Sequence, residues 1–167
     1  MENSNILKVM CGCANDMDKL KKFWNCFSRG VVDIQEMFDI WKRKNFEDCL
    51  QACEPAIRHR LSKPGKQVSK EAVRSYLFGC MQLPWLDFLL AVFYGVNAGI
   101  EHQKDKDCTF ADWTARPLHK DLILYSAKDS YHTLEIFYVL FLKVKGEHSW
   151  AWQPRLPRSE CKKFLFF

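Results

Sequence analysis

Two short apolar runs, ILKVM from Ile6 to Met10 and GVVDIQ from Gly30 to Gln35, bracket a stretch of helical composition. Apolar runs this short, one ending near Gly12 and the other opening on Gly30, read as strands. Between them lies CANDMDKLKKFW, with Asn15 or Asp16 placed to cap a helix. A strand, a helix and a strand within about 30 residues predict a right-handed crossover joining two parallel strands. The chain is therefore expected to be α/β, and everything after Gln35 must fit around that pair.

The remainder reads mainly as helix. EMFDIWKRK places Met37, Ile40 and Trp41 on one face. LPWLDFLLAVFYGV, from Leu83 to Val96, predicts an amphipathic helix with Pro84 in its first turn and Gly95 at its end. EHQKDKDCTFADWTARPL reads as an extended polar loop closed by Pro117. A helix then starts around His119, in which Leu122, Tyr125, Asp129, Leu134, Phe137 and Phe141 have helical spacing, as one bent helix or as two. The middle segment RLSKPGKQVSKEAVRSYL breaks at Pro64-Gly65 and turns helical from about Ser69. Its Lys63, Lys66, Lys70 and Arg74 either contact RNA phosphates or belong to a solvated surface insertion. The tail from Ser149 shows no clear period.

Composition narrows the class. The chain has 167 residues, 48% hydrophobic and 14% aromatic, which is enough for one domain with a core and excludes a disordered protein. A net charge of +5 suits a polyanionic partner without demanding one. No apolar run reaches the roughly 20 residues of a membrane span. The start MENSNILKVM lacks a secretory pattern, so the chain is expected to be intracellular. Its eight cysteines are then expected to be reduced and mostly buried. Cys11-x-Cys13 and Cys49-x-x-x-Cys53 lack the matching second pair that a structural zinc site requires.

One acid stands out. In LILYSAKDSYHTLEIFYVL, Asp129 follows Tyr125 by one helical turn at the head of an apolar helix, so both side chains can face one cleft. Asp16 lies just beyond the first strand, where open parallel sheets place their ligands. The two could converge on a divalent cation. Equally, Asp16 could be a helix cap and Asp129 a surface acid.

KVMCGCANDMDKL, VVDIQ, LPWLDFLLAVFYGV and ADWTARPLHKDLILYSAKDSYHTLEIF, in that order, resemble the 3′–5′ exonuclease domain of the RNase D family. This is the DEDD superfamily with the tyrosine-type third motif, and the flavour is closest to the exosome-associated nuclear exonuclease. The likeness runs from about Ile6 to Leu142, interrupted at about 45–81. The resemblance implies a helix-rich RNase H-like exonuclease domain over 1–145 and a carboxy-terminal tail over 146–167. It implies Mg²⁺ or Mn²⁺ held partly by Asp16 and Asp129, with Tyr125 orienting the attacking water. It also implies a single-stranded RNA or DNA 3′ end as substrate, and a nuclear location.

The chain departs from that pattern in ways that bear on activity. No Asp-x-Glu occurs anywhere in it, so two of the family's four metal-binding acids have no counterpart. Cys11 stands where the family has histidine, and Thr114 and Ala115 replace bulkier residues in the R-P-L loop. The fold is accordingly expected to be partial, with the amino-terminal strands of the sheet missing and ILKVM left as an apolar edge open to a protein partner. The sequence thus points to a 3′–5′ exonuclease-family protein that is inactive as given. The alternative is a non-catalytic nucleic-acid-binding or scaffold protein on a degenerate nuclease fold.

Overall fold

The computed structural model describes residues 5–27, 29–64, 67–79, 84–104, 108 and 111–146. Lys66 and the tail at 147–167 lie outside the described residues. Strand β1 (Lys8–Met10) pairs in parallel with β2 (Val31–Asp33), Lys8 opposite Val31 and Met10 opposite Asp33. Helix α1 (Ala14–Trp24) connects them. Strand β2 is shorter than its apolar run suggests, because the Asp33 side chain accepts the Gln35 N–H at 2.9 Å and starts helix α2 (Ile34–Lys44) there. The result is a helix-rich molecule around a two-stranded parallel sheet.

Two helices follow where the sequence suggested an interruption. Helix α3 (Phe46–Leu61) and helix α4 (Lys70–Gly79) pack on each other. Helix α3 buries Cys49, Cys53, Ala56 and Ile57, and α4 buries Val73 and Leu77. This segment therefore builds the core and is no mere solvated insertion. Its helical period is carried by two thiols and an alanine, small side chains that hide an apolar stripe in a charged background. Cys49 and Cys53 lie 3.9 Å apart, sulfur to sulfur, as reduced thiols one turn apart on that buried face.

Helix α5 (Leu86–Tyr94) begins two residues after Pro84 and ends at Gly95, whose φ of 95° favours glycine. Helix α6 (Val96–Lys104) follows at once, so the residues from Glu101 to Lys104 are helical rather than part of the expected loop. Gly99 lets α6 close on α5: a β-carbon there would stand 2.5 Å from the Asp87 carbonyl oxygen and 2.9 Å from the Ala91 methyl.

Helix α7 (Lys120–Lys145) is one unbroken helix. It buries Leu122 in its first turn, then Thr133, Ile136, Phe137 and Leu140 in its second half. The second half does pack inward, but on a face turned from the expected one. Ile136 and Leu140 are fully buried, whereas Phe141 remains 40% exposed. One core cluster joins α2, α3, α4, α5 and α7 around Trp41, Leu89, Ile136 and Leu140. Helix α1 contributes nothing to it; none of its residues is buried.

Candidate functional site

The carboxyl ends of both strands meet at Asp33. Its carboxylate accepts the backbone N–H groups of Gly12 at 3.1 Å, Cys13 at 2.8 Å and Gln35 at 2.9 Å. Gly12 takes φ 69° to make that turn. Asp33 therefore supplies, from the next strand, the oxygen that the start of α1 needs, while the N-cap residue Cys13 makes no side-chain cap of its own. Asn15 and Asp16 are not the cap. Asp16 lies inside the first turn of α1, exposed, where a carboxylate is favoured by the helix dipole.

Cys11 ends the β1 segment, half-buried, and its thiol is pushed up to about 12. Burial is the main cause, followed by the negative charges of Asp33, Asp129 and Asp87. Burial and the negative charge of Asp33, Asp129 and Asp87 thus both favour the neutral thiol. Cys13 is pushed up to about 11, by burial first and then by its hydrogen bond to Asp33.

Helix α7 carries Tyr125 and Asp129 one turn apart, and α6 brings His102 to both. His102 Nε2 lies 2.8 Å from Asp129 Oδ1, and its ring centroid is 6.4 Å from that of Tyr125. The pair is sheltered, the His102 side chain being 14% exposed and that of Asp129 34%. The loop ADWTARPL closes the other side of Tyr125. Asp112 Oδ1 accepts the Thr114 N–H at 2.9 Å and the Thr114 hydroxyl at 2.6 Å, folding a tight turn. That turn sets the Trp113 ring 6.3 Å from Tyr125, and Trp113 Nε1 donates to the Cys108 carbonyl at 3.1 Å. Tyr125 thereby has both an indole and an imidazole as ring neighbours.

Tyr125 and Asp129 have His102 as a common neighbour, a residue expected in a loop. A signal existed: Ala98, Gly99 and His102 recur at three- and four-residue spacing after Gly95, the pattern of a helix face that approaches a neighbour closely. Asp16 is not gathered with them into a metal-ligating group. Among the described residues no three His, Cys, Asp or Glu side chains stand where they could hold an ion. The carboxylate of Asp129 is already engaged by an imidazole, and Asp16 projects into solvent. These residues do not fit the pair of divalent cations, Mg²⁺ or Mn²⁺, that the family likeness implies.

The basic segment divides likewise. Lys63 and Lys70 are exposed. Arg74 is held by Glu47 at 2.8 Å and lies 4.9 Å over the Phe46 ring, fastening α4 to the start of α3.

The site thus combines a β-α-β unit, a long helix carrying Tyr-x-x-x-Asp, and a Trp-bearing loop beside that tyrosine. The sequence model described as 3′–5′ exonuclease matches residues 1–145, and the chain belongs to that family, within the DEDD superfamily. The curated proteins and the solved structures give no match. Among the described residues no helix is long and apolar enough to cross a membrane.

Proposed function

We propose that this exonuclease-family chain engages single-stranded nucleic acid, RNA by its likeness to the RNase D group, and does not hydrolyse it unaided. The domain that does so spans 1–145, with 146–167 as a tail. The observation that carries the reading is the 2.8 Å pairing of Asp129 with His102. A carboxylate paired with an internal imidazole, outside any group of three or more metal-ligating side chains among the described residues, does not balance two dications about 4 Å apart. On this reading Asp16, Tyr125 and Asp129 correspond to the family's site residues by resemblance, without forming its metal centre. The exposed Lys63, Lys70 and Arg74 are suited to phosphate contact, Arg74 from a solvent-facing ion pair with Glu47; Lys66 lies outside the described residues.

The test is a trimming assay on 5′-labelled single-stranded RNA with Mg²⁺ or Mn²⁺. The expected outcome is binding that weakens with salt and no shortening. Stepwise trimming that disappears in Asp129→Asn would overturn the reading.

A second reading rests on β1, which among the described residues is hydrogen-bonded to β2 alone. A strand from another polypeptide docked on its open edge would cover Ile6 and Leu7, 57% and 53% exposed, and could bring carboxylates toward Asp16. This reading expects metal-dependent trimming only with that partner bound, together with new amide protection between Lys8 and Met10.

A further inference from the structure

The far end of α1 presents three aromatic rings to water within five residues. Phe23 is 68% exposed, Trp24 78% and Phe27 49%. Such rings ordinarily bury 150–250 Å² each, roughly, and a cluster left in solvent marks a surface that something covers. The backbone presents them deliberately. Asn25 takes a left-handed turn at φ 47° and ends the helix. Lys8 Nζ donates to the Arg29 carbonyl at 2.6 Å, pinning the following segment back to β1.

The charge around the rings narrows the ligand. Lys19, Lys21 and Lys22 are all exposed on the same stretch. Lys21 Nζ lies 5.8 Å from the Phe27 centroid, and Lys22 Nζ lies 5.4 Å from that of Phe23. Lysine is depleted at the centres of protein–protein interfaces, where its desolvation opposes binding. Cations interleaved with exposed rings match instead the alternation of phosphate and base along a single strand.

We propose that Phe23, Trp24 and Phe27 form a stacking platform for bases of a single-stranded nucleic acid, with Lys19, Lys21 and Lys22 taking its phosphates. The proposal rests on the reading that this chain engages nucleic acid.

The experiment is fluorescence anisotropy with labelled single-stranded oligouridylate and oligothymidylate at low salt, for wild type, Trp24→Ala, Trp24→Phe and the pair Lys21→Ala with Lys22→Ala. Trp24→Ala should weaken binding about 5- to 100-fold, and Trp24→Phe should restore most of it. The lysine pair should flatten the slope of log affinity against log salt by about 1.4. Because Trp24 is 78% exposed, its replacement should leave the thermal midpoint unmoved. Tight binding by wild type that Trp24→Ala does not change would overturn the platform and leave the broader reading standing. No binding by wild type at low salt would remove that reading, and the platform with it. Concentration-dependent self-association lost in Trp24→Ala, with oligonucleotide binding unaffected, would assign the rings to a second copy and overturn the platform.

Discussion

The Asp33 carboxylate takes three backbone N–H groups, while that of Asp129 takes one imidazole. Both lie near the Cys11 thiol, yet Asp33 closes a turn and Asp129 ties two helices. If Asp129 acts chiefly as the partner of His102, the two should be energetically coupled. His102→Ala and Asp129→Asn are each expected to lower stability, and the double variant should lose less than their sum by about 1 kcal/mol. Urea unfolding measures this; strict additivity would return Asp129 to the role of an unencumbered ligand. Cys11 makes a second residue-scale prediction. Its folded-state value, about 12, exceeds the ordinary thiol value of 9.0. The stabilisation is therefore complete below pH 9 and is lost as pH rises toward 12. Wild type should lose stability between pH 9 and 11 more steeply than Cys11→Ala, with Cys13 leaving a residual slope in both. An equal slope in the two proteins would show that Cys11 ionises as freely folded as unfolded.

At the scale of elements, legibility followed the clarity of the apolar period. The order β1, α1, β2, α2 could be read because apolar runs and charged stretches alternate sharply there. Helix α7 was readable as a helix but not by face. Apolar side chains surround it, from Leu122, Ile123 and Leu124 to Phe137, Tyr138 and Phe141, so spacing alone does not choose Ile136 and Leu140 over Leu134 and Phe141. Helix α6 was missed because its packing face is made of small residues. Gly99 is where that face can be tested. A methyl group there would press on the Asp87 carbonyl and the Ala91 side chain, so Gly99→Ala should cost about 1–3 kcal/mol through overpacking. It should also loosen α6, and with it His102. Chemical denaturation checks the cost, and the His102 imidazole resonances should shift with it. A stabilised variant, as expected of Gly→Ala in an open helix, would mean that α5 and α6 stand further apart than described. His102 itself was hidden for a different reason: its partner lies 27 positions away on another helix, beyond any local pattern.

Over the whole molecule, burial is uneven in a way that local patterns do not show. One core runs through α2, α3, α4, α5 and α7, and Lys143 is drawn into it, 7% exposed, by Asp48 at 3.0 Å. The Trp41 indole N–H reaches the same Asp48 oxygen at 3.0 Å, so one carboxylate on α3 links α2 to α7. Among the described residues helix α1 has no such anchors and is held chiefly at its start, by Asp33. Its amides are expected to exchange with solvent through local opening, whereas those at the centres of α2, α3 and α7 should exchange only with global unfolding. Hydrogen exchange across a urea series distinguishes the two. Amides from Asp18 to Trp24 should be insensitive to low denaturant, and those around Trp41 and Leu140 should follow the global transition. The same reasoning sets the response to metal. A cation bound at tight, saturating occupancy would raise stability by about 2.7 kcal/mol at a hundredfold excess over its dissociation constant. With Asp129 committed to His102 and Asp16 on the loosely held helix, added Mn²⁺ should move neither the global midpoint nor the exchange of α1. If Mn²⁺ slowed exchange in the first turn of α1 and raised the midpoint together, Asp16 and Asp129 would be acting as joint ligands, and the chain would have to be treated as a metal-dependent nuclease in its own right.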